Sequence, residues 1–247
     1  MRLVAGEDHR YTLSAPGLET WLPGLLARLD GRRTLREALA PLDATQRDSA
    51  AELVERLRGE RILVDAPAEL AHPARRFRAA FEGCGPLKDG DSTGIAGRPA
   101  LRILCQDRLD YDEALRFNID CLSQHSPWIW ATTGPLSRGY VSPAFLPGSG
   151  PCLGCLIRHF RRLSPAPEIY DGLIAHAQEK RPIAPVSFPA EGLDLMRAIL
   201  RWKIAALGDP SPPAALYRLH VVETASMEVS THRVFLDPDC PDCGRRP

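Results

Sequence analysis

The hydrophobic pattern of the first 66 residues predicts a small mixed unit of strands and helices. Leu3-Val4 and Tyr11-Thr12-Leu13 are short apolar segments separated by polar residues, which indicates a hairpin. The next stretch has the three- and four-residue apolar spacing of an amphipathic helix, at Leu18, Trp21, Leu22, Leu25, Leu26 and Leu29. Pro23 lies inside this pattern, so it must occupy the first turn or kink the helix.

Two further helices follow. Thr34 and Glu37 have the spacing of a capping box, which predicts a helix start, and residues 45–48 resemble a second box. The third helix has an apolar face formed by Leu53, Val54 and Leu57. Gly59 is placed as its C-cap, and residues 62–64 are predicted to form a closing strand. Two strands, three helices and a closing strand are typical of a winged helix-turn-helix, over residues 1–66.

Residues 67–99 have linker composition, rich in proline and glycine with an arginine cluster at Arg75, Arg76 and Arg78, and residues 100–247 have an α/β pattern. Asp110 and Glu113 predict a cap for a helix that extends to Gln124. The remaining predicted helices cover 156–163, 168–179 and 193–207. The predicted strands cover 101–104, 127–131, 139–141, 216–222 and 233–236. The fold class expected is therefore a winged helix followed by an α/β domain.

Charge and hydropathy exclude several classes of protein. Lysine plus arginine equals aspartate plus glutamate, 31 each, whereas a nucleic-acid binder usually carries a basic excess. No apolar run approaches the ~20 residues needed to span a bilayer. The first eight residues contain no apolar core of a signal peptide. We expect a cytosolic chain without a nucleic-acid or membrane partner.

Four of the seven cysteines form two C-x-x-C pairs, Cys152/Cys155 and Cys240/Cys243. Each such turn can supply two corners of a zinc tetrahedron, and two turns close the site without an open position for water. The sequence therefore predicts a structural zinc ion, with a redox pair and unpaired buried cysteines as the competing interpretations. The other three cysteines, Cys84, Cys105 and Cys121, are interpreted as buried small side chains or a surface thiol.

The second half also contains motifs that resemble the latter part of the E1-like, or ThiF-like, adenylating fold. They are Cys105-Gln106-Asp107, Asp110, Arg116, Asn118, Ser126-Pro127-Trp128, Gly134 to Gly139, Gly150 to Leu156 and Leu236 to Gly244. In that family the two cysteine pairs bind a structural zinc. The glycine-rich nucleotide unit of the family has no counterpart, because the linker is too short for the missing βαβαβ. Asp107 or Asp110 could match the family's metal-binding aspartate, although a loop residue and a helix N-cap are the simpler interpretations.

Residues 26–37 resemble the "LDG-x-x-T-x-x-E" hallmark of the small PqqD-type peptide-recognition element. A winged helix joined to a truncated ThiF-like domain is similar to the ocin-ThiF-like, cyclodehydratase partner proteins of azole- and thiopeptide-type biosynthesis. The resemblance implies a protein without chemistry of its own, which binds the leader of a ribosomal precursor peptide. It would deliver that peptide to a YcaO-type cyclodehydratase for azoline formation, with a homodimer as a further expected assembly.

The resemblance also implies where the leader binds. In that family the leader adds a strand to the small sheet and packs against the third helix. The corresponding residues are Arg10, Tyr11, Thr12 and Leu13 on the edge strand and Glu52, Glu55, Arg56 and Arg58 on the helix. For the helix charges, a solvated face is an equally good interpretation.

Three other functions compete with this interpretation. An adenylating E1-like enzyme needs an ATP site, which the sequence lacks. A winged-helix DNA-binding regulator could use Arg32, Arg33 and Arg36, but the third helix is acidic and poorly suited to a groove. A hydrolase could use the histidines at 125, 159 and 176, but they accompany no identifiable nucleophile motif.

Overall fold

The computed structural model describes residues 2–5, 9–14, 17–59, 63, 101–134, 137–181 and 188–244. The chain divides into two compact units, Met1–His72 and Pro73–Pro247. Among the described residues, no helix is both long enough and apolar enough to cross a membrane.

The first unit contains a hairpin and three helices. Strands β1 (Arg2–Ala5) and β2 (His9–Thr12) pair antiparallel as a two-stranded sheet. Helices α1 (Leu18–Arg28), α2 (Leu35–Leu39) and α3 (Ala44–Gly59) follow. Their apolar faces form one core of fully or nearly buried side chains: Leu18, Trp21, Leu22, Leu25, Ala38, Leu39, Leu42, Ala50 and Val54. The helical part of the sequence prediction is therefore confirmed.

The helix caps show one confirmed prediction and one correction. Thr34 caps α2 through a reciprocal pair of bonds, from Glu37 N to Thr34 Oγ1 (3.3 Å) and from Thr34 N to Glu37 Oε2 (2.8 Å). The second box is not at residues 45–48, because Asp43 and Gln46 exchange the corresponding bonds (2.8 and 3.3 Å). Asp43 carries the acceptor one residue before α3 begins, so Thr45 already lies in the helix. The predicted closing strand at 62–64 lies outside the described residues except for Leu63.

The second unit is built on a mixed five-stranded sheet with the order β3-β4-β5-β6-β7. Strands β3 (Arg102–Gln106) and β4 (Trp128–Thr132) are parallel and are connected by helix α4 (Tyr111–Ser123). The other pairings are antiparallel, through β5 (Arg138–Val141), β6 (Arg218–Glu223) and β7 (Glu228–Arg233).

Helices cover both faces of this sheet. They are α5 (Leu153–Leu163), α6 (Glu168–Gln178) and α7 (Ala190–Ala206), and a short 3-10 helix at Ala214–Tyr217 precedes β6. Strand β4 separates two cores, because its side chains alternate between the faces. Trp128 and Trp130 pack with residues of α4, α5 and α6, whereas Ile129 and Ala131 pack with residues of α7.

One strand prediction in this unit is wrong. The last strand is Glu228–Arg233, not residues 233–236. All six of its residues are exposed, so the strand carries no apolar alternation that a sequence pattern could detect. The apolar residues 234–236 follow the strand as irregular chain that leads to the second cysteine pair.

Candidate metal centre

The four cysteines of the two C-x-x-C pairs come together in the second unit. Their sulfur atoms all lie within 4.8 Å of one another. The separations are 4.0 Å for Cys152–Cys155, 3.7 Å for Cys152–Cys240 and 3.4 Å for Cys155–Cys243. A tetrahedron of thiolates around zinc, with Zn–S bonds of about 2.3 Å, has sulfur atoms about 3.8 Å apart. The observed spacing therefore fits a tetrahedral metal ion.

The local backbone conformation positions the two sulfur atoms of each pair. Cys152 is the extended residue directly before α5, so Cys155 lies in the first turn of that helix. Cys240 and Cys243 lie in a turn closed by the bond from Gly244 N to Cys240 O (2.7 Å). Cys152, Cys155 and Cys240 are at most 2% exposed, and Cys243 is partly exposed. A closed set of four sulfurs, three of them on buried residues, has the form of a structural site.

Gly154 allows the two pairs to approach each other. A Cβ at this position would lie 3.2 Å from Cys240 Sγ and would overlap the carboxylate of Asp242. The first pair therefore requires glycine for steric reasons, because the second pair packs directly against its backbone.

A buried asparagine connects the two halves of the centre. Asn118 on α4 is fully buried and donates from Nδ2 to Asp242 Oδ2 (3.1 Å). Its Oδ1 accepts from Leu153 N (3.1 Å), one of the amides at the start of α5 that have no partner within the helix. One amide side chain therefore holds the helix start and the second cysteine turn in register.

Asp237 anchors the segment that enters the second pair. Its Oδ2 accepts from Arg158 Nε (2.6 Å) and pairs with Arg162 (2.9 Å), both on α5. Its backbone N donates to Cys155 Sγ (3.4 Å). The bond from Arg158 holds the pKa of the Asp237 carboxyl below its usual range. The negative charge is thus retained on a nearly buried side chain.

The hydrogen bonds around the four thiols favour the thiolate form of one of them, Cys155. Hydrogen bonds from Cys152 and from the backbone of Asp237 lower the pKa of Cys155 to about 5. Burial raises the pKa of Cys243 to about 12, and the hydrogen bond to Cys155 raises the pKa of Cys152. The thiols of Cys152 and Cys243 therefore need a nearby cation to ionise, which is the property expected of metal ligands.

The residues predicted to bind a leader peptide all belong to the first unit. Arg10, Tyr11 and Thr12 form part of β2, and Leu13 follows it, half-buried against the helical core. Glu52, Glu55 and Arg56 lie on α3 with exposed side chains, and Arg58 pairs with Glu55 (3.0 Å).

The histidines considered for a hydrolase have other surroundings. His159 Nε2 accepts from Phe235 N (3.2 Å), and its ring lies 5.8 Å from that of Phe235. His125 has a left-handed backbone (φ 53°) two residues after the end of α4. Cys121 is buried in the main core, and burial raises the pKa of its thiol to about 11. His159 lies on α5 and His176 in the last turn of α6, so the three histidines come from different elements.

A buried lysine is a feature that the sequence analysis missed. Lys203 on α7 is fully buried and donates to the carbonyl oxygens of Ser142 (2.7 Å), Leu216 (3.1 Å) and Arg218 (2.7 Å). Burial lowers its pKa to about 7. The apolar residues Leu200 and Ala206 nearby in the sequence indicate a buried helix face. No feature of the neighbouring sequence predicts that three carbonyl oxygens accept from the Lys203 ammonium group.

No protein-family model matches this chain, and no curated protein matches it significantly. Among solved structures, E. coli MccB with MccA-N7isoASN aligns at TM-score 0.42 and 17% identity, over 60% of this chain and 42% of that one. E. coli MccB with ATP aligns at 0.43 and 19% identity, over 59% and 40%. A heterocyclase in complex with substrate and cofactor aligns at 0.44 and 20% identity, over 97% of this chain and 37% of that chain. The chain thus spans well under half the length of these proteins, and a TM-score below 0.5 does not establish a shared fold.

Proposed function

We propose that this protein binds the leader segment of a ribosomally made precursor peptide and delivers it to a YcaO-type cyclodehydratase. The observation that carries the proposal is the two-stranded sheet β1–β2 followed by three helices, in a chain whose N-terminal sequence resembles a PqqD-type recognition element. Catalysis would belong to the partner enzyme, which forms azolines from the bound peptide.

The small sheet is suited to strand addition. An isolated two-stranded hairpin is only marginally stable, and a third strand supplies a further row of backbone hydrogen bonds. An extended leader that pairs with β2 would gain affinity from those bonds and register from its alternate side chains. Residues 10–12 of β2, and Leu13 after it, are the proposed contacts.

Helix α3 offers the second part of the binding surface. Its solvent side carries Asp48, Glu52 and Glu55, which recur at four- and three-residue spacing and so lie on one stripe. Arg56 lies next to this stripe. Charged side chains beside the added strand would fix the direction of the leader through complementary charges.

The cysteine centre is proposed to hold a structural zinc ion. Four sulfurs at the observed spacing leave no coordination position for water, so the ion would supply folding free energy and no Lewis-acid chemistry. It would join the start of α5 to the segment that follows β7. The second unit could then serve as the rigid surface that docks the cyclodehydratase.

Tethering explains how such a protein could act without a catalytic group. Holding the leader near the partner enzyme makes the encounter of the core peptide with the active site effectively intramolecular. A modest leader affinity is then sufficient.

The test is a fluorescence-anisotropy titration of the full chain with the labelled leader of the precursor encoded beside its gene. We expect saturable binding, weakened at least about fivefold by Glu52→Lys through the loss of charge complementarity. Glu19→Lys is the control, because Glu19 is also exposed but lies on α1, and it should bind as wild type does.

ATP is titrated in parallel. Leader binding without ATP binding supports the delivery function. ATP binding or ATP–pyrophosphate exchange without affinity for the leader would instead identify an adenylating enzyme. Equal weakening by both charge reversals would contradict the proposed role of α3.

A further inference from the structure

Two arginines face each other across strands β6 and β7. Arg218 and Arg233 are directly opposed in the antiparallel register, and both side chains are exposed. Opposed residues of an antiparallel pair point to the same face of the sheet and lie close together. Among the residues that the structure describes, no carboxylate pairs with either guanidinium group. Because directly opposed like charges destabilise a sheet, an anionic group between the two arginines would relieve their repulsion.

The carboxylates of the β6–β7 hairpin cannot neutralise this pair. Glu223 and Glu228 oppose each other at the other end of the hairpin, five residues away along each strand. Five residues span about 17 Å, which exceeds the Debye length of about 8–10 Å. Successive side chains alternate between the faces, so after five residues the two glutamates point to the opposite face. The positive charge therefore belongs to one end of one face.

An exposed indole lies beside the arginines on the same face. On β6, His220 is two positions after Arg218 and therefore points to the same face. Its ring meets that of Trp202 on α7 edge to face, with the ring centroids 5.9 Å apart. Trp202 is 39% exposed. An apolar ring surface thus lies about two strand residues, or roughly 7 Å, from the arginine pair.

Helix α7 covers β6 on this face but leaves β7 uncovered. The β6 residues His220 and Val222 are buried. Their partners on β7, Thr231 and Val229, are exposed. The uncovered side chains form a strip beside α7 that we call the arginine shelf, defined by Arg218, Arg233, Thr231, Val229 and Trp202.

We propose that the arginine shelf binds an acidic linear peptide in extended conformation, with a carboxylate side chain between the two arginines and an apolar side chain on Trp202. The site lies wholly in the second unit and is separate from the proposed leader surface of the first. It would hold or fail independently of the leader-binding function.

Strand geometry sets the pattern of the peptide. In an extended chain, side chains that point the same way are two residues and roughly 7 Å apart. Arg233, Thr231 and Val229 repeat at the same interval on β7. A peptide that follows β7 therefore places a carboxylate at the arginines, an apolar side chain at Trp202 and a second one at Val229. Guanidinium groups bind carboxylates through paired hydrogen bonds, and the indole offers a large apolar area.

The arginine shelf suits a peptide better than a nucleic acid. A nucleic acid carries a phosphate at every nucleotide, so its binding sites have basic groups along their whole length. The two arginines lie at one end of the shelf, and the following positions, Thr231 and Val229, are uncharged. One anionic contact followed by apolar contacts matches the pattern acid-x-apolar-x-apolar in a peptide.

The test is a fluorescence-anisotropy titration of the full chain with the fluorescein-labelled peptide Gly-Ser-Glu-Thr-Phe-Thr-Val-Ser-Gly. The matched peptide has lysine in place of glutamate. We expect saturable binding of the glutamate peptide and at least about tenfold weaker binding of the lysine peptide. Trp202→Ala should weaken binding at least about fivefold, whereas Trp202→Phe, which keeps an aromatic ring, should retain most of the affinity. The control is Arg181→Ala, an exposed arginine after α6 that pairs with Glu179, and it should bind as wild type does.

Arg218→Glu separates a binding role from a structural one. The substitution replaces a like-charge pair by an opposite-charge pair, so the Tm of the free protein should rise by about 1–4 °C. The affinity for the glutamate peptide should fall at least about tenfold, because a carboxylate now occupies the anion position. A variant that is more stable and binds more weakly has not lost binding through misfolding. Equal affinity for the two peptides, unchanged affinity in Arg218→Glu, or tighter binding of fluorescein-labelled oligouridine than of the glutamate peptide would overturn the proposal.

Discussion

The steric role of Gly154 leads to a quantitative prediction for the cysteine centre. In Gly154→Ala, the added Cβ would lie 3.2 Å from Cys240 Sγ and 3.1 Å from Asp242 Cγ. The sulfur is fixed by its place in the four-cysteine cluster, so Asp242 has to move. That movement breaks its bond with Asn118 Nδ2, which is 3.1 Å long.

The magnitude follows from two opposing effects. Overpacking costs about 1–3 kcal/mol, and the buried hydrogen bond contributes about 1 kcal/mol more. Alanine regains about 1 kcal/mol of helix propensity over glycine. We therefore expect a net loss of about 2 kcal/mol in the free energy of unfolding, or about 4–8 °C in Tm for a unit of this size.

The control is Gly172→Ala, on the exposed side of α6, where nothing lies within 4 Å of the added methyl group. It should raise the stability by about 0.5–1 kcal/mol. Tm by circular dichroism and zinc transfer to a chromogenic chelator are measured for both variants. A Gly154→Ala protein with wild-type Tm and wild-type zinc retention would refute the proposed contact between the two cysteine pairs.

Three further predictions concern the second unit. Cys240→Ser should lower the bound zinc, measured by mass spectrometry of the metal, from one ion per chain to a small fraction, whereas Cys105→Ser should retain it. The apparent zinc affinity should fall at least about tenfold per pH unit on acidification, because the thiols must lose protons to bind; a pH-independent affinity would argue against thiolate ligands. Burial lowers the pKa of Lys203 in the folded protein from 10.5 to about 7. Between pH 7 and pH 10.5 the unfolded chain therefore binds more protons than the folded one, and the free energy of unfolding should rise with pH across this range. Urea unfolding of Lys203→Met should lack this rise, and an identical pH dependence in both proteins would contradict it.

The sequence predicted the start of a helix correctly where the stabilising contact joins residues a few positions apart. Thr34 with Glu37 and Asp110 with Glu113 supplied helix caps within four residues, and both helices begin where these pairs predict. The cap of α3 was misplaced by two residues because Asp43 with Gln46 and Thr45 with Asp48 offer the same spacing. Only the geometry of the preceding turn distinguishes them.

Contacts between residues far apart in the sequence left no such local signal. Lys203 is buried because carbonyl groups from three distant positions converge on its ammonium group, and a lysine in a helix otherwise suggests an exposed position. Among the described residues, strand β7 is held by backbone pairing with β6, and all six of its side chains are exposed, so they carry no apolar pattern. The cysteine spacing predicted which four residues come together, whereas the supporting contacts of Asn118 and Asp237 required the tertiary fold.

The leader-delivery function is tested most directly by reconstituting the modification reaction. The precursor and the YcaO-type enzyme encoded beside this gene are incubated with ATP, with and without this protein, and azoline formation is followed by the loss of water in mass spectra. We predict fast modification only when this protein and a precursor with its leader are both present, and slower modification with Glu52→Lys than with Glu19→Lys. Equal rates with and without this protein, or equal rates for leaderless and full-length precursor, would contradict the account.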